Sequence, residues 1–326
     1  MRFSFLIFLL SIYLVSCTTK DKKEAKSVNT FFQHVPKDSS GIDFSNNLAY
    51  TDDLNIIEYL YYYNGGGVAV GDINNDGLDD IYLGANQSID KLYLNLGNMK
   101  FKDITESAGL KLDSTWSTGI TIEDVNNDGL LDIYVCKVGN YKSLQSHNLL
   151  YINNGNETFT ERAEEYGLAF SGLSTQASFF DYDNDGDLDV YLMNHSIHTP
   201  RSYGNSSQRA TKDSLSGDRL YENKLDEGLT RFVDVTDQSG IFSSALGYGL
   251  ALITSDINLD GLVDIYVGND FHENDYLYIN QGDKTFKESA AEYLNHTSRF
   301  TMGVDIADMN EDGKPDIFTL DMMPFD

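Results

Sequence analysis

Cysteine, tryptophan, proline and basic residues are all scarce in this chain of 326 residues. Two cysteines, Cys17 and Cys136, exclude a disulfide framework. Cys136, within the apolar run Ile133-Tyr134-Val135-Cys136, reads as a small buried hydrophobe. The single tryptophan, Trp116, lies just before an expected strand and suits a core or a ligand platform equally well. Patterns of helical period are few. Lys and Arg total 23 against 51 Asp and Glu, a formal charge of −28. That excess repels phosphate and argues against nucleic acid as a partner. It also opposes a compact fold through self-repulsion, unless the acids are spread in solvent or cations neutralise them. No Gly-x-Ser-x-Gly elbow, phosphate-binding glycine loop or His-Glu-x-x-His occurs. What is abundant is glycine (27), tyrosine (21) and phenylalanine (18), which together with many aspartates describe short strands joined by tight turns.

Arg2 is followed by an uncharged run from Phe3 to Ser16. A bilayer span takes about 20 residues, so this run has the length of a signal-peptide core rather than of a membrane helix. It ends Leu14-Val15-Ser16-Cys17, which resembles the bacterial lipobox. The resemblance implies a signal peptide over residues 1–16 and lipidation of Cys17, with several acyl chains anchoring the protein to a membrane. Thr18, rather than Asp, follows the cysteine, a pattern that implies the outer membrane by analogy with enterobacterial lipoproteins. The polar, Lys-rich residues 17–30 then read as a flexible tether.

The remainder, 31–326, repeats itself. The pattern Asp-x-Asn/Asp-x-Asp-Gly-x-x-Asp, then an aliphatic residue and Tyr or Phe, begins at Asp72, Asp124, Asp181, Asp256 and Asp308, at intervals of 52, 57, 75 and 52 residues. Calcium takes six to eight oxygen ligands at about 2.3–2.6 Å. Positions 1, 3 and 5 supply side-chain oxygens: Asp72, Asn74 and Asp76; Asp124, Asn126 and Asp128; Asp181, Asp183 and Asp185; Asp256, Asn258 and Asp260; Asp308, Asn310 and Asp312. Glycine at position 6 lets the chain turn sharply. Position 7 offers a backbone carbonyl, from Leu78, Leu130, Asp187, Leu262 or Lys314. Position 9 closes the cage with Asp80, Asp132, Asp189, Asp264 or Asp316. Hard oxygen donors without His or Cys favour calcium over zinc or copper. An EF-hand would carry Glu at position 12 and continue as a helix. Here position 12 is Leu83, Val135, Leu192, Val267 or Thr319 within a β-forming run, so each loop opens a strand. A bare Asn-Asp-Gly hairpin turn would explain positions 5 and 6 but not the aspartates at 1 and 9. About five structural calcium ions would add +10 and bring the charge from −28 to −18.

An apolar or small-residue strand precedes each loop, as in Gly67-Val68-Ala69-Val70. A second half-repeat follows: Leu92-Tyr93-Leu94-Asn95, a glycine turn, Phe101, then Gly109-Leu110, with copies at Leu150, Leu220 and Leu277. Four short strands per period of about 50 residues is the arithmetic of a β-propeller blade. The expected fold is therefore all-β: a propeller of about five four-stranded blades, not necessarily a complete ring. Residues Phe32 to Ile42 look like an isolated second half-repeat, and the chain stops after a first half-repeat. Either the two halves pair to close a ring or the chain is the front of a longer propeller; the abrupt end favours the latter.

These repeats resemble the FG-GAP/VCBS family, as in the integrin α propeller. The run Asn64-Gly65-Gly66-Gly67 through Asp76-Gly77, and that from Met302-Gly303 to Met323-Pro324, are closer to the cartilage-acidic-protein-like (ASPIC/UnbV-associated) bacterial surface lipoproteins. The resemblance implies a propeller and calcium, without a defined ligand. The literal Phe-Gly and Gly-Ala-Pro tokens are absent.

The third interval carries an insertion, Asn194 to Asp218, and long polar loops on rigid scaffolds often bind ligands. Candidate ligand contacts are His195, His198, Arg201 and Tyr203 there, and Asp270, His272 and Glu273 in an equivalent inter-strand stretch. A purely polar loop explains them as well. The favoured function is a calcium-stabilised, exported, lipid-anchored, non-enzymatic module binding a glycan or protein. The alternatives are a structural component of an envelope complex and, less favoured, a propeller-based polysaccharide lyase or hydrolase.

Overall fold

The computed structural model describes residues 31–197, 209, 211–224, 232–271 and 273–322. The signal, Cys17 and the tether lie outside these, as do His198, Arg201, Tyr203 and His272. The chain divides into two compact units at Pro36. Of the first, residues 31–36 are described and carry neither helix nor strand. Among the described residues no helix is long and apolar enough to cross a membrane.

The second unit is a propeller built from sequence-consecutive antiparallel sheets. Blade 1 comprises β1 (Val68–Gly71), β2 (Asp80–Leu83), β3 (Lys91–Asn95) and β4 (Phe101–Asp103). Blade 2 comprises β5 (Ser117–Glu123), β6 (Asp132–Lys137), β7 (Leu149–Asn153) and β8 (Phe159–Glu161). Blade 3 comprises β9 (Ser174–Phe180), β10 (Asp189–Asn194), β11 (Arg219–Asn223) and β12 (Phe232–Asp234). Blade 4 comprises β13 (Gly249–Ser255), β14 (Asp264–Asn269), β15 (Tyr276–Asn280) and β16 (Phe286–Glu288). The fifth sheet, among the described residues, pairs β17 (Thr301–Ala307) with β18 (Asp316–Asp321), which is the first half-repeat expected there.

The first strands of successive blades, β1, β5, β9, β13 and β17, lie side by side around the axis. Thr118 Oγ1 donates to the Ser174 carbonyl at 2.8 Å, and Thr175 Oγ1 to the Gly249 carbonyl at 3.1 Å, so hydroxyls stitch adjacent inner strands. Period-2 side chains fill the spaces between blades. Tyr82, Leu92 and Leu94 of blade 1 pack on Ile133, Val135 and Tyr151 of blade 2. Similar clusters join blade 2 to blade 3 and blade 3 to blade 4. Each fully buried aliphatic or aromatic side chain stabilises such an interface by about 1.5–3 kcal/mol. Cys136 is buried in one of them, as its apolar run implies.

Blades 2, 3 and 4 end in one helical turn: α2 (Ala163–Tyr166), α3 (Thr236–Ser239) and α4 (Ala290–Tyr293). An equivalent turn, α1 (Lys37–Ser40), precedes blade 1. Gly41 after it and Gly240 after α3 are left-handed, at φ +81°, and a Cβ there would stand 2.3 Å from the Phe101 carbonyl and 2.4 Å from that of Phe286. Thus residues 37–42 do reproduce the end of a half-repeat, docked on blade 1, although Phe32 forms no strand. Among the described residues nothing from this segment pairs with β18.

Candidate metal-binding loops and the opposite face

Every β1–β2 type connection folds the same way, because its own aspartates accept its backbone N–H groups. The position 1 carboxylate takes the N–H of position 5 on one oxygen and that of the position 6 glycine on the other; for Asp72 these are Asp76 at 2.9 Å and Gly77 at 2.7 Å. The pattern recurs at Asp124, Asp181, Asp256 and Asp308. The position 5 carboxylate takes the N–H of position 7 in all five. The position 6 glycines have φ between +83° and +95° with open space around a Cβ, so their need for glycine is conformational rather than steric. Position 4 is also left-handed, at Asn75, Asn127, Asn184, Leu259 and Glu311. Three asparagines at that position were a legible hint of it.

Position 9 has a different environment. Asp80, Asp132, Asp189 and Asp264 are buried at the first residue of β2, β6, β10 and β14. Each accepts the N–H of loop position 2 on one oxygen, as from Ile73 at 3.1 Å, and the N–H of the asparagine ending the third strand on the other, as from Asn95 at 2.6 Å. Burial pushes Asp80 up to about 6, Asp132 to about 7 and Asp189 to about 8. The N–H donors oppose that rise and the position 1 and 5 carboxylates, or Asp183 and Asp187 beside Asp189, add to it. Such crowding of negative charge is what a bound divalent cation would relieve.

In the third loop Asp181, Asp183 and Asp189 each place an oxygen within 4.8 Å of the others. Oxygens about 2.3–2.6 Å from a shared ion can stand this close to one another, so this donor set is compatible with calcium. In the first, second and fourth loops the position 3 asparagine accepts from the N–H of position 5 and donates to the position 5 carboxylate. Asn310 likewise accepts from Asp312.

The loops are tied across blades. Asn153, closing β7, donates through Nδ2 to the carbonyl of Ile73 in the neighbouring loop at 2.8 Å and to Leu131 at 3.0 Å. Asn280 does the same to Tyr182 at 2.8 Å and Val263 at 3.2 Å. A second repeated polar device, missed in the sequence, sits just before each third strand. Asp90, Asp218 and Asp275 accept the hydroxyls of Tyr82, Tyr191 and Tyr266. Asn148 takes the same place opposite Tyr134. Aligning the copies on Leu-Tyr would have exposed it.

The end of the axis away from the loops is covered by residues 54–66. Leu54, Tyr59, Tyr61 and Tyr62 pack with Trp116, Val138, Leu173 and Tyr248. Trp116 is therefore core, edge-on to Tyr59 at 5.4 Å. A cavity of about 190 Å³ remains there, lined by Tyr59, Tyr61, Trp116, Thr118 and His195 among others. His195 is buried; its Nδ1 lies 2.9 Å from the Ser196 carbonyl, which accepts only, so Nδ1 carries the proton and Nε2 accepts from Tyr59 at 3.0 Å. Burial pushes the imidazole down to about 4. Asp270 is buried and accepts from Tyr61 Oη at 3.4 Å, and Glu273 is buried between Arg209 and Tyr276. Among the described candidate ligand contacts, all three are thus enclosed and partnered.

The chain matches the FG-GAP-like repeat family over residues 72–135, 138–192 and 256–319, more than half its length, and belongs to that family. It is similar to cartilage acidic protein 1 of Homo sapiens, 26% identical over 267 residues, covering 77% of this chain and 38% of that protein. It is 26% identical over 208 residues to the Xenopus tropicalis protein, covering 64% of this chain and 29% of that one. Integrin alpha-8 of Gallus gallus is 29% identical over 147 residues, covering 40% of this chain and 14% of the integrin. The chain thus spans less than two fifths of the length of these relatives. A solved structure of an Agrocybe aegerita lectin, described for specific recognition of non-reducing terminal N-acetylglucosamine, aligns with TM-score 0.45 and 16% identity over 77% of this chain and 59% of the lectin.

Proposed function

We propose that this chain is a calcium-stabilised, exported and lipid-anchored module that binds a glycan or protein and performs no catalysis. The observation carrying the calcium reading is that five loops, 52 to 75 residues apart, adopt one hydrogen-bonded shape with acidic side chains at positions 1, 5 and 9. A structural turn needs the backbone acceptors but not so much charge in one place. The residues that would hold an ion are those of positions 1, 3 and 5, the carbonyl of position 7 and position 9. The ion would supply charge neutralisation and no reaction step. Absence of catalysis is inferred from the employment of the carboxylates: those in register are engaged in loops and those before the third strands bond tyrosines.

Export and anchoring rest on the apolar run ending at Cys17. Ligand binding rests on kinship with FG-GAP repeat proteins, and its chemistry is open between glycan and protein. Screening the purified chain on glycan and peptide arrays, in calcium and in chelator, tests it. Calcium-dependent retention of one class is expected, and no retention of either would contradict a binding role.

A further inference from the structure

Blade 3 departs from its sister blades at three positions, and blade 4 answers with one. Loop position 3 is Asp183 where the other four loops have asparagine. Position 7 is Asp187 where the others have leucine or Lys314. The third strand carries Glu222 where blades 1, 2 and 4 have Leu94, Ile152 and Ile279. In the β15–β16 turn of blade 4, Lys284 occupies the left-handed position held by Met99 and Glu157 in blades 1 and 2. Its Nζ lies 2.6 Å from Asp183 and 2.5 Å from Glu222, which also pairs with Lys224 at 2.9 Å. The Asp183 carboxylate is fully enclosed, with Asp181 and Asp189 oxygens within 4.8 Å.

A carboxylate at position 3 cannot donate to position 5 as an asparagine amide does, so the third loop gains charge and loses a hydrogen bond. The ammonium of Lys284 stands on that added charge from the neighbouring blade. We propose that Lys284 is a tethered cation that competes with a divalent ion for Asp183. The third loop is then the weakest and most exchangeable of the five calcium sites, and filling it releases Lys284 from Asp183 while Glu222 keeps the β15–β16 turn on blade 3. This rests on the calcium reading above. The competition follows from charge: an ammonium ion-paired with one ligand of a site holds positive charge next to the incoming ion and must yield that ligand or repel it.

The test compares the wild-type chain with Lys284→Met, which restores the residue of blade 1, and with Lys284→Gln. Calcium alone is titrated calorimetrically, ions are counted by native mass spectrometry, and melting is followed in chelator and in saturating calcium. Wild type is expected to show one site weaker than the rest. Either variant should tighten that site by about tenfold, within the range usual for coupled sites, and leave the others unchanged. Loss of the lysine should lower the melting temperature in chelator and leave it equal or higher in calcium. A merely structural lysine would lower it in both. Unchanged calcium affinities in both variants, or equal destabilisation in both media, would overturn the proposal while the remaining loops still bind. Failure of every loop to bind calcium would overturn the underlying reading as well.

Discussion

Replacing Asn153 by alanine separates the tie between blades from the folding of a single blade. The amide spans two blades, donating to Ile73 in the loop of blade 1 and to Leu131 in its own loop, while its Oδ1 accepts from Gly155 at 3.0 Å. Asn153 is 4% exposed, so alanine would leave the Ile73 carbonyl buried and unpaired. A lost hydrogen bond costs about 0.5–1.5 kcal/mol and a buried orphan about 1–3 kcal/mol, giving about 2–4 kcal/mol for the substitution. Asn95 ends the same strand of blade 1, but its amide meets only the exposed Asp79 carbonyl, beside the bond its Oδ1 accepts from Gly97. Asn95→Ala should therefore cost about 1 kcal/mol. For a domain of this size, about 2–4 °C per kcal/mol predicts a melting shift of about 4–16 °C for Asn153→Ala and about 2–4 °C for Asn95→Ala. Urea unfolding should give the same order at an unchanged slope. Asn280→Ala, with its two carbonyl partners Tyr182 and Val263, should behave like Asn153→Ala. Equal shifts at Asn95 and Asn153 would refute the cross-blade role.

Three further outcomes are expected. Burial pushes Asp218 up to about 7, above its ordinary range, so the folded state holds the proton more tightly than the unfolded one. Its contribution is full below about pH 4 and is lost as pH rises through 7, a change of a few kcal/mol. Asp218→Asn, which copies Asn148 of blade 2, should abolish that slope, and unfolding curves of the two proteins between pH 4 and 8 should converge at the acid end. Asp128→Ala removes the position 5 ligand of the second loop and should lower calcium stoichiometry by about one ion per chain, as counted by native mass spectrometry. Cys17→Ser should move the protein from the membrane to the soluble fraction, and retention in membranes would contradict lipid anchoring.

The parts of this fold written in local spacing were legible in the sequence. Asp80 and its counterparts do begin strands, and Phe101, Phe159, Phe232 and Phe286 do open the outermost ones, because loop, turn and period-2 alternation are set within a dozen residues. The covering segment was not. Tyr59, Tyr61 and Tyr62 show no period, and their partners Trp116, His195 and Tyr248 are remote in sequence, so nothing local marks them as core. The polar stretches around His195 and Asp270 looked like solvated or ligand-facing loops for the same reason. Their partners, Tyr59 and Tyr61, come from that unforeseen segment. The significance of Lys284 needed three dimensions, since only the stacking of blade 4 on blade 3 brings it to Asp183.

The claim that acidic loops hold divalent ions which in turn hold the blades is tested most directly by metal analysis of the purified chain joined to melting in calcium and in EGTA. Several calcium ions per chain, and a melting temperature lowered by many degrees on chelation, are predicted. A metal-free protein that melts identically in both media would contradict it.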